Sequence, residues 1–323
     1  MELIIPVVLL LAGLGILILG AEWLVKGASS IARGFGISAL VVGLTVVSFG
    51  TSAPELTVNL YSAFTGATDL AIGNIIGSNI ANILLILGIT AIITPLMVQS
   101  STVKWEIPLA LLAAVMVYVM GRDVFFDGTA TDVITRTDGI ALLGFFVIFM
   151  FYVFALAKKE TAPQEEGEKT EGKMVGPLLA IGLVVIGLAA LVLGGKLLVD
   201  NAVILAKAIG LSEAVIGLTV VAVGTSLPEL ATSVVAAMKK EIDIAVGNVI
   251  GSNIFNVFWI LGATSIIAPL PAPTGFGVDA LVMIGATLAL FFALFVGTRG
   301  HLDRWQGVVF VLAYIAYVSY LVV

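Results

Sequence analysis

Apolar residues run in long stretches along this chain, and polar positions are confined to the gaps between them and to a few points inside. Reading for apolar runs of about 17–25 residues predicts ten helical spans, near 3–24, 38–65, 69–97, 105–121, 138–157, 175–197, 212–238, 243–270, 278–297 and 304–323. Gly and Pro interrupt the second, third, seventh and eighth. One segment is plainly hydrophilic, Lys158 to Lys173, rich in Glu and Lys with Pro163; it reads as a solvated linker. The expected organisation is therefore 1–157, a linker at 158–174, and 175–323.

Composition agrees. Of 323 residues, 60% are hydrophobic and 11% charged, against roughly half and a quarter in soluble domains. A globule of this length cannot hide so much apolar surface from water, so the chain reads as an all-α polytopic membrane protein. That excludes a cytosolic enzyme, a nucleic-acid binder and a disordered chain. No cysteine is present, which removes disulfides, thiolate catalysis and Cys-ligated metals. The start, Met1-Glu2 followed by an apolar run from Leu3 without a basic residue, suggests a retained first helix rather than a cleaved signal.

The linker separates two related halves. A shift of 174 residues aligns Gly43–Leu96 with Gly217–Leu270 without a gap, and 30 of those 54 positions are identical. Five spans per half is an odd number, so the second copy should enter the bilayer in the opposite sense. Lys and Arg gather in cytoplasmic loops. Counting from an external N-terminus puts eleven of the 15 inside, among them Lys26, Arg33 and Lys104, and four outside. Both termini are therefore expected outside. Inverted repeats of this kind build secondary transporters, with the site at mid-membrane where broken helices meet.

Within each repeat the strongest identity is polar: Gly50-Thr51-Ser52-Ala53-Pro54-Glu55 and Gly224-Thr225-Ser226-Leu227-Pro228-Glu229. A carboxylate at the centre of a spanning helix costs about 2.5–3.5 kcal/mol on insertion scales. No Lys, Arg or His lies in either span, so a metal cation or a proton is the available partner. Pro54 and Pro228 each remove a backbone donor, and Gly50 and Gly224 loosen the same stretch. Together they should open the helix and free carbonyls at Val47, Ser48, Val221 or Ala222. Thr51 and Glu55 stack at i and i+4, with Ser52 beside them. Hydroxyl, carbonyl and carboxylate oxygens are hard ligands of the kind Ca²⁺ takes.

The following span adds a second motif, Gly73-Asn74-Ile75-Ile76-Gly77-Ser78-Asn79-Ile80-Ala81-Asn82, matched by Gly247 to Asn256. Asn74, Ser78 and Asn82 form one polar stripe, as do Asn248, Ser252 and Asn256. Asn79 and Asn253 could be hydrogen-bonding packing amides. The only histidine, His301, falls in an expected solvated loop.

These motifs resemble those of the Ca²⁺/cation antiporter superfamily, and within it the prokaryotic-type sodium/calcium exchangers. The resemblance implies ten helices in two inverted five-helix halves and exchange of Na⁺ for Ca²⁺ by alternating access. It implies Ca²⁺ ligation by Glu55, Glu229, Thr51 and Thr225. Sodium sites would use Ser52, Ser226, Ser78 and Ser252 with the same glutamates, Asn82 and Asn256 would line the middle, and carbonyls near Ser48 and Ala222 would complete them. Some members have Asp at a position matched by Asn82 or Asn256; here both are Asn, which puts potassium co-transport in question. The implied substrates are Ca²⁺ and Na⁺ in a prokaryotic plasma membrane, with no cofactor and no obligate protein partner. A calcium/proton antiporter is the alternative, since the glutamates could exchange protons, and a cation channel a more distant one.

Overall fold

A computed structural model describes residues 3–160, 175–208 and 222–322. The linker at 161–174 and the start of the second repeat at 209–221 lie outside these residues. Helix α1 (Ile4–Phe35) opens the chain and ends at Gly36, whose φ of 64° is a left-handed cap that glycine adopts without Cβ strain. It is 32 residues long. The expected span stopped at residue 24 and left Lys26 and Arg33 in a loop. Helix geometry gives 32 residues about 48 Å, more than the roughly 30 Å of bilayer hydrocarbon, so hydropathy alone stopped where the polar end of the helix begins.

Next come α2 (Ala39–Val42), a π-helical turn at Gly43–Val47, α3 (Ser48–Thr51) and α4 (Ala53–Thr65). The axis bends by 45° between Ala39–Thr51 and Ala53–Thr65, because Pro54 in the first turn of α4 has no N–H to give to the carbonyl four residues back. Helix α5 (Thr68–Ile80) continues through a π segment, Ala81–Leu87, into α6 (Gly88–Ile93). A short strand β1 (Leu96–Met97), a π turn at Thr102–Glu106, α7 (Ile107–Met120), the short α8 (Asp123–Phe126), strand β2 (Val133–Ile134) and α9 (Arg136–Glu160) complete the first part.

The later elements recur in the same order and near the same 174-residue offset: α10 (Pro177–Ala208), α11 (Ala222–Thr225), α12 (Leu227–Met238) and α13 (Ile242–Ile254). A π segment at Phe255–Leu261 leads into α14 (Gly262–Ile267), then β3 (Leu270–Pro271), α15 (Phe276–Ala293), β4 (His301–Leu302) and α16 (Arg304–Val322).

Among the described residues seven helices are long and apolar enough to cross a membrane, or eight with the bent pair counted as one span. The protein is an integral membrane protein. Its outer helices turn large apolar side chains outward, Ile5, Phe151 and Leu178 among them, which only lipid can cover at this density. Two spans are instead enclosed: 94% of the apolar stretch in Ile242–Ile267 and 78% of that in Thr68–Ile93 is buried, against 28% for Ile4–Phe35. These enclosed spans carry the asparagine stripes.

Two features bind the halves. Helices α1 and α10 pack along each other over most of their lengths. Gly13 lies against Gly194, and Gly20 against Gly187: a Cβ on Gly20 would sit 2.8 Å from the Leu191 amide, and one on Gly194 2.6 Å from that of Leu17. The strands form the second tie, since β1 pairs antiparallel with β4 (Leu96 opposite Leu302) and β2 with β3 (Ile134 opposite Leu270). His301 thus belongs to a paired strand opposite Met97 and is half-buried, rather than a solvated loop residue. Two-residue strands are too short for a period-2 pattern to register in sequence.

Overpacking the glycine seam should separate α1 from α10. Gly187→Leu is expected to lower the thermal midpoint in detergent by at least about 3 °C, since overpacking costs about 1–3 kcal/mol. Gly15→Leu, on the same helix with nothing within 4 Å of its Cβ position, should not lower it. Differential scanning fluorimetry reads both.

Candidate functional site

Glu55 and Glu229 lie in the first turns of α4 and α12, the helices that restart after each break. The unpaired N–H groups of a helix start favour negative charge there, which explains locally why an acid follows each proline. Both side chains are 1% exposed. No ion pair reaches either among the described residues.

Their hydrogen bonds cross between the halves. Ser52 donates to Glu229 Oε1 at 3.1 Å, and Ser252 to the same oxygen at 3.4 Å. Reciprocally, Ser78 and Ser226 donate to Glu55 Oε1 at 3.4 and 3.5 Å. Each carboxylate is thus gripped by a serine of the other half's Gly-Thr-Ser motif and by one from the asparagine stripe of its own half. Only one oxygen of each is used: Glu55 Oε2 and Glu229 Oε2 are buried with no donor.

The stripes build the walls. Asn74 and Asn248 donate to the backbone carbonyls of Glu55 and Glu229 at 3.4 and 3.3 Å. Their own oxygens accept from Thr225 at 3.5 Å and Thr51 at 3.0 Å, again from the opposite half. A threonine hydroxyl that gives its proton to an amide keeps its lone pairs for a cation. Asn82 and Asn256, one turn beyond Ser78 and Ser252, each have a buried Oδ1 with no donor.

Among the described residues the second carboxylate oxygens of Glu55 and Glu229 and the amide oxygens of Asn82 and Asn256 are thus buried without a partner, as are Asn59 Oδ1 and the hydroxyls of Ser62 and Thr232 on the same helices as the glutamates. A buried polar atom left unsatisfied costs about 1–3 kcal/mol. Oxygens without a donor are of the kind a hard cation takes as ligands, whereas a further hydrogen-bond acceptor would satisfy none of them. No cluster of three His, Cys, Asp or Glu exists among the described residues, so the donor set is oxygen and suits alkali and alkaline-earth ions.

Ser48 departs from expectation. Its carbonyl is not freed, for it accepts the Ser52 N–H at 3.0 Å. The carbonyl that loses its donor to Pro54 is that of Gly50, four residues before the proline rather than six. The Ser48 hydroxyl instead meets the Gly43, Gly247 and Asn248 carbonyls at 2.7, 3.2 and 2.9 Å, stitching the π turn to α13. Ala222 opens α11, and Val221 lies outside the described residues.

Several polar side chains near the glutamates escaped sequence reading. Asn59 and Ser62 continue the Glu55 face of α4 at i+4 and i+7, and Thr232 and Ser233 follow Glu229 at i+3 and i+4; all four are fully buried. Asn59 and Ser233 are equivalent across the repeat but differ in residue type, so a search for identities passes over them. Helical spacing from each glutamate would have found them.

The protein-family model for the sodium/calcium exchanger protein matches residues 5–155 and 179–323. Inner membrane protein YrbG of Escherichia coli (strain K12) is 39% identical over 294 residues, 88% of this chain and 87% of its own length. Sodium/calcium exchanger MaX1 of Methanosarcina acetivorans is 33% identical over 341 residues, covering 96% of each. Among solved structures, the sodium-calcium exchanger NCX_Mj soaked with Na⁺ and Ca²⁺ superposes with a TM-score of 0.80 at 36% identity, over 98% of both chains.

The two motif serines are unequally engaged, Ser52 reaching both Glu229 and Ser252 at 3.1 Å and Ser226 reaching Glu55 at 3.5 Å. In sodium-free, calcium-free buffer Ser52→Ala should therefore lower the thermal midpoint more than Ser226→Ala. The expected difference is about 1 kcal/mol, or roughly 2 °C, read by scanning fluorimetry on both variants.

Proposed function

This chain belongs to the sodium/calcium exchanger family, and from that premise we propose that it is a secondary active antiporter, not an enzyme, exchanging Na⁺ for Ca²⁺ by alternating access. The observation that carries the reading is the pair of buried, unpartnered carboxylate oxygens, Glu55 Oε2 and Glu229 Oε2, with no basic side chain in ion-pair contact among the described residues. Relatives named as sodium/calcium exchangers support the choice of ions.

In this reading Glu55 and Glu229, with oxygens of Thr51 and Thr225, ligate Ca²⁺. Sodium takes the same glutamates with Ser52, Ser226, Ser78 and Ser252, while the Asn82 and Asn256 amide oxygens line the middle. One Ca²⁺ or about two Na⁺ neutralise two carboxylates, and a further Na⁺ is held by neutral oxygens. The two ion sets share ligands, so each excludes the other. An empty site would carry two unneutralised charges through a low-dielectric core, where like charges repel strongly; crossing without cargo is disfavoured, and exchange is enforced over leak.

The architecture proposed with this function is ten spans in two inverted five-helix halves, 1–157 and 175–323, joined by a cytoplasmic linker at 158–174. The recurrence of elements at the 174-residue offset and the odd number of spans per half support inversion. The distribution of Lys and Arg supports external termini. Relatives in a bacterium and an archaeon support a prokaryotic plasma membrane. The glycine seam between α1 and α10 suits these two helices to slide past the enclosed core.

In proteoliposomes an outward sodium gradient should drive ⁴⁵Ca²⁺ accumulation, and a pH gradient without sodium should not. Glu55→Gln and Glu229→Gln should each reduce that uptake at least a hundredfold while the thermal midpoint stays that of a folded protein. Near-normal uptake in either variant removes the glutamates from the mechanism. At equilibrium Na⁺ should displace Ca²⁺; additive, independent isotherms would contradict shared ligands.

A further inference from the structure

Four asparagines at the centre form a hydrogen-bonded circuit whose direction can be deduced. Asn79 reaches the backbone carbonyl of Asn253 at 3.2 Å, and Asn253 reaches that of Asn79 at 3.2 Å. A carbonyl oxygen only accepts, so the end of each amide that touches it is the NH₂. Oδ1 of Asn79 is then left to face Asn256, and Oδ1 of Asn253 to face Asn82. These oxygens accept Nδ2 of Asn256 at 3.0 Å and Nδ2 of Asn82 at 2.9 Å. The amides of Asn82 and Asn256 are consequently held NH₂ inward to the circuit, and their own oxygens, buried and without donors, point away from it. All four side chains are at most 3% exposed, so no bulk water competes.

A primary amide has nearly the same shape whichever way it is turned, but its two ends differ in sign. Oxygen toward a cation attracts it, and NH₂ repels it. Packing alone cannot make that choice; a fixed acceptor behind the NH₂ can. We propose that Asn79 and Asn253 are positioning residues for ion transport: each locks the amide of the opposite half's Asn256 or Asn82 with its oxygen toward the ion. The proposal rests on the reading of Asn82 and Asn256 as ion-lining residues. It accounts for two asparagines three apart in each copy of the motif, one presenting an oxygen and the other orienting the partner across the interface. The site is complete only when both halves are present.

The test is a double-mutant cycle in proteoliposomes, with KM and kcat of sodium-driven ⁴⁵Ca²⁺ uptake measured separately and folding checked by thermal midpoint. Asn79→Leu, of similar size but with no acceptor, should raise KM for Ca²⁺ about tenfold with a smaller change in kcat. In an Asn256→Asp background both ends of the side chain are oxygen, orientation is moot, and adding Asn79→Leu should change KM less than twofold. An equal penalty in both backgrounds would mean that Asn79 only packs, and no penalty in either would mean that it does nothing; both overturn the proposal. Asn256→Leu separates this from the underlying reading, because unchanged Ca²⁺ KM and Na⁺ competition there would show that Asn256 is no ligand. Should Asn79→Leu fail to fold, Asn253→Leu with Asn82→Asp runs the same cycle on the other arm.

Discussion

Two carboxylates buried where no described residue offers them a positive partner set the terms for everything around them. Burial without compensation is among the most expensive things a membrane protein can do, and here it occurs twice, at equivalent positions. The surroundings lower that cost without removing it. Helix starts at α4 and α12 present their N–H groups, and serines occupy one oxygen of each acid. The second oxygen is left for something mobile. A structural ion pair would have closed that option, and a fully hydrogen-bonded acid would have had no reason to admit a cation.

The division of labour between halves follows from the same constraint. Had each half satisfied its own glutamate, the interface between them could have been apolar and the site merely duplicated. Instead Ser52 serves Glu229, Ser226 serves Glu55, and the threonines of each motif reach the asparagine of the other half. Each acid therefore has one serine from its own half and gains the other only in the assembled pair. The two enclosed helical spans, Thr68–Ile93 and Ile242–Ile267, make room for this by being shielded from lipid, so that amides and hydroxyls on them face protein on nearly all sides. The lipid-exposed helices α1 and α10 carry glycines rather than polar groups at their mutual contact, which keeps them close without fixing them by directional bonds.

Much of this was legible in the chain before any coordinates. Period and length gave the long helices, and the duplication marked Glu55, Glu229 and the asparagine stripes as belonging to one site. What stayed hidden has a common physical cause: it depends on which groups meet across the halves. Identity between repeats cannot say that Ser52 bonds Glu229 rather than Glu55. Hydropathy cut α1 at residue 24 because the last turns are polar, although helical hydrogen bonding continues to Phe35. Sequence alone places freed carbonyls at Val47, Ser48, Val221 or Ala222; that of Ser48 keeps the Ser52 N–H, and the N–H missing at Pro54 is the one that would have reached Gly50, four residues back. Asn59 and Ser233 were missed because the repeat varies the residue while keeping the polarity.

In the proposed reading, the neutrality of Asn82 and Asn256 has its own consequence for selectivity. A carboxylate at either position would offer oxygen in any orientation and add a third charge, drawing the balance toward more strongly charged cargo. An amide adds no charge and is useful only if turned the right way, so it requires neighbours that turn it. With two acids alone, one divalent ion or two monovalent ions bring the site to neutrality, and any additional ion must be held by dipoles. Dipolar sites hold ions weakly unless their oxygens are preorganised. If Asn82 and Asn256 line the middle as proposed, orientation of their amides across the interface would link occupancy there to the two halves being in register, and a site with ligands from both halves would release its ions when that register changes.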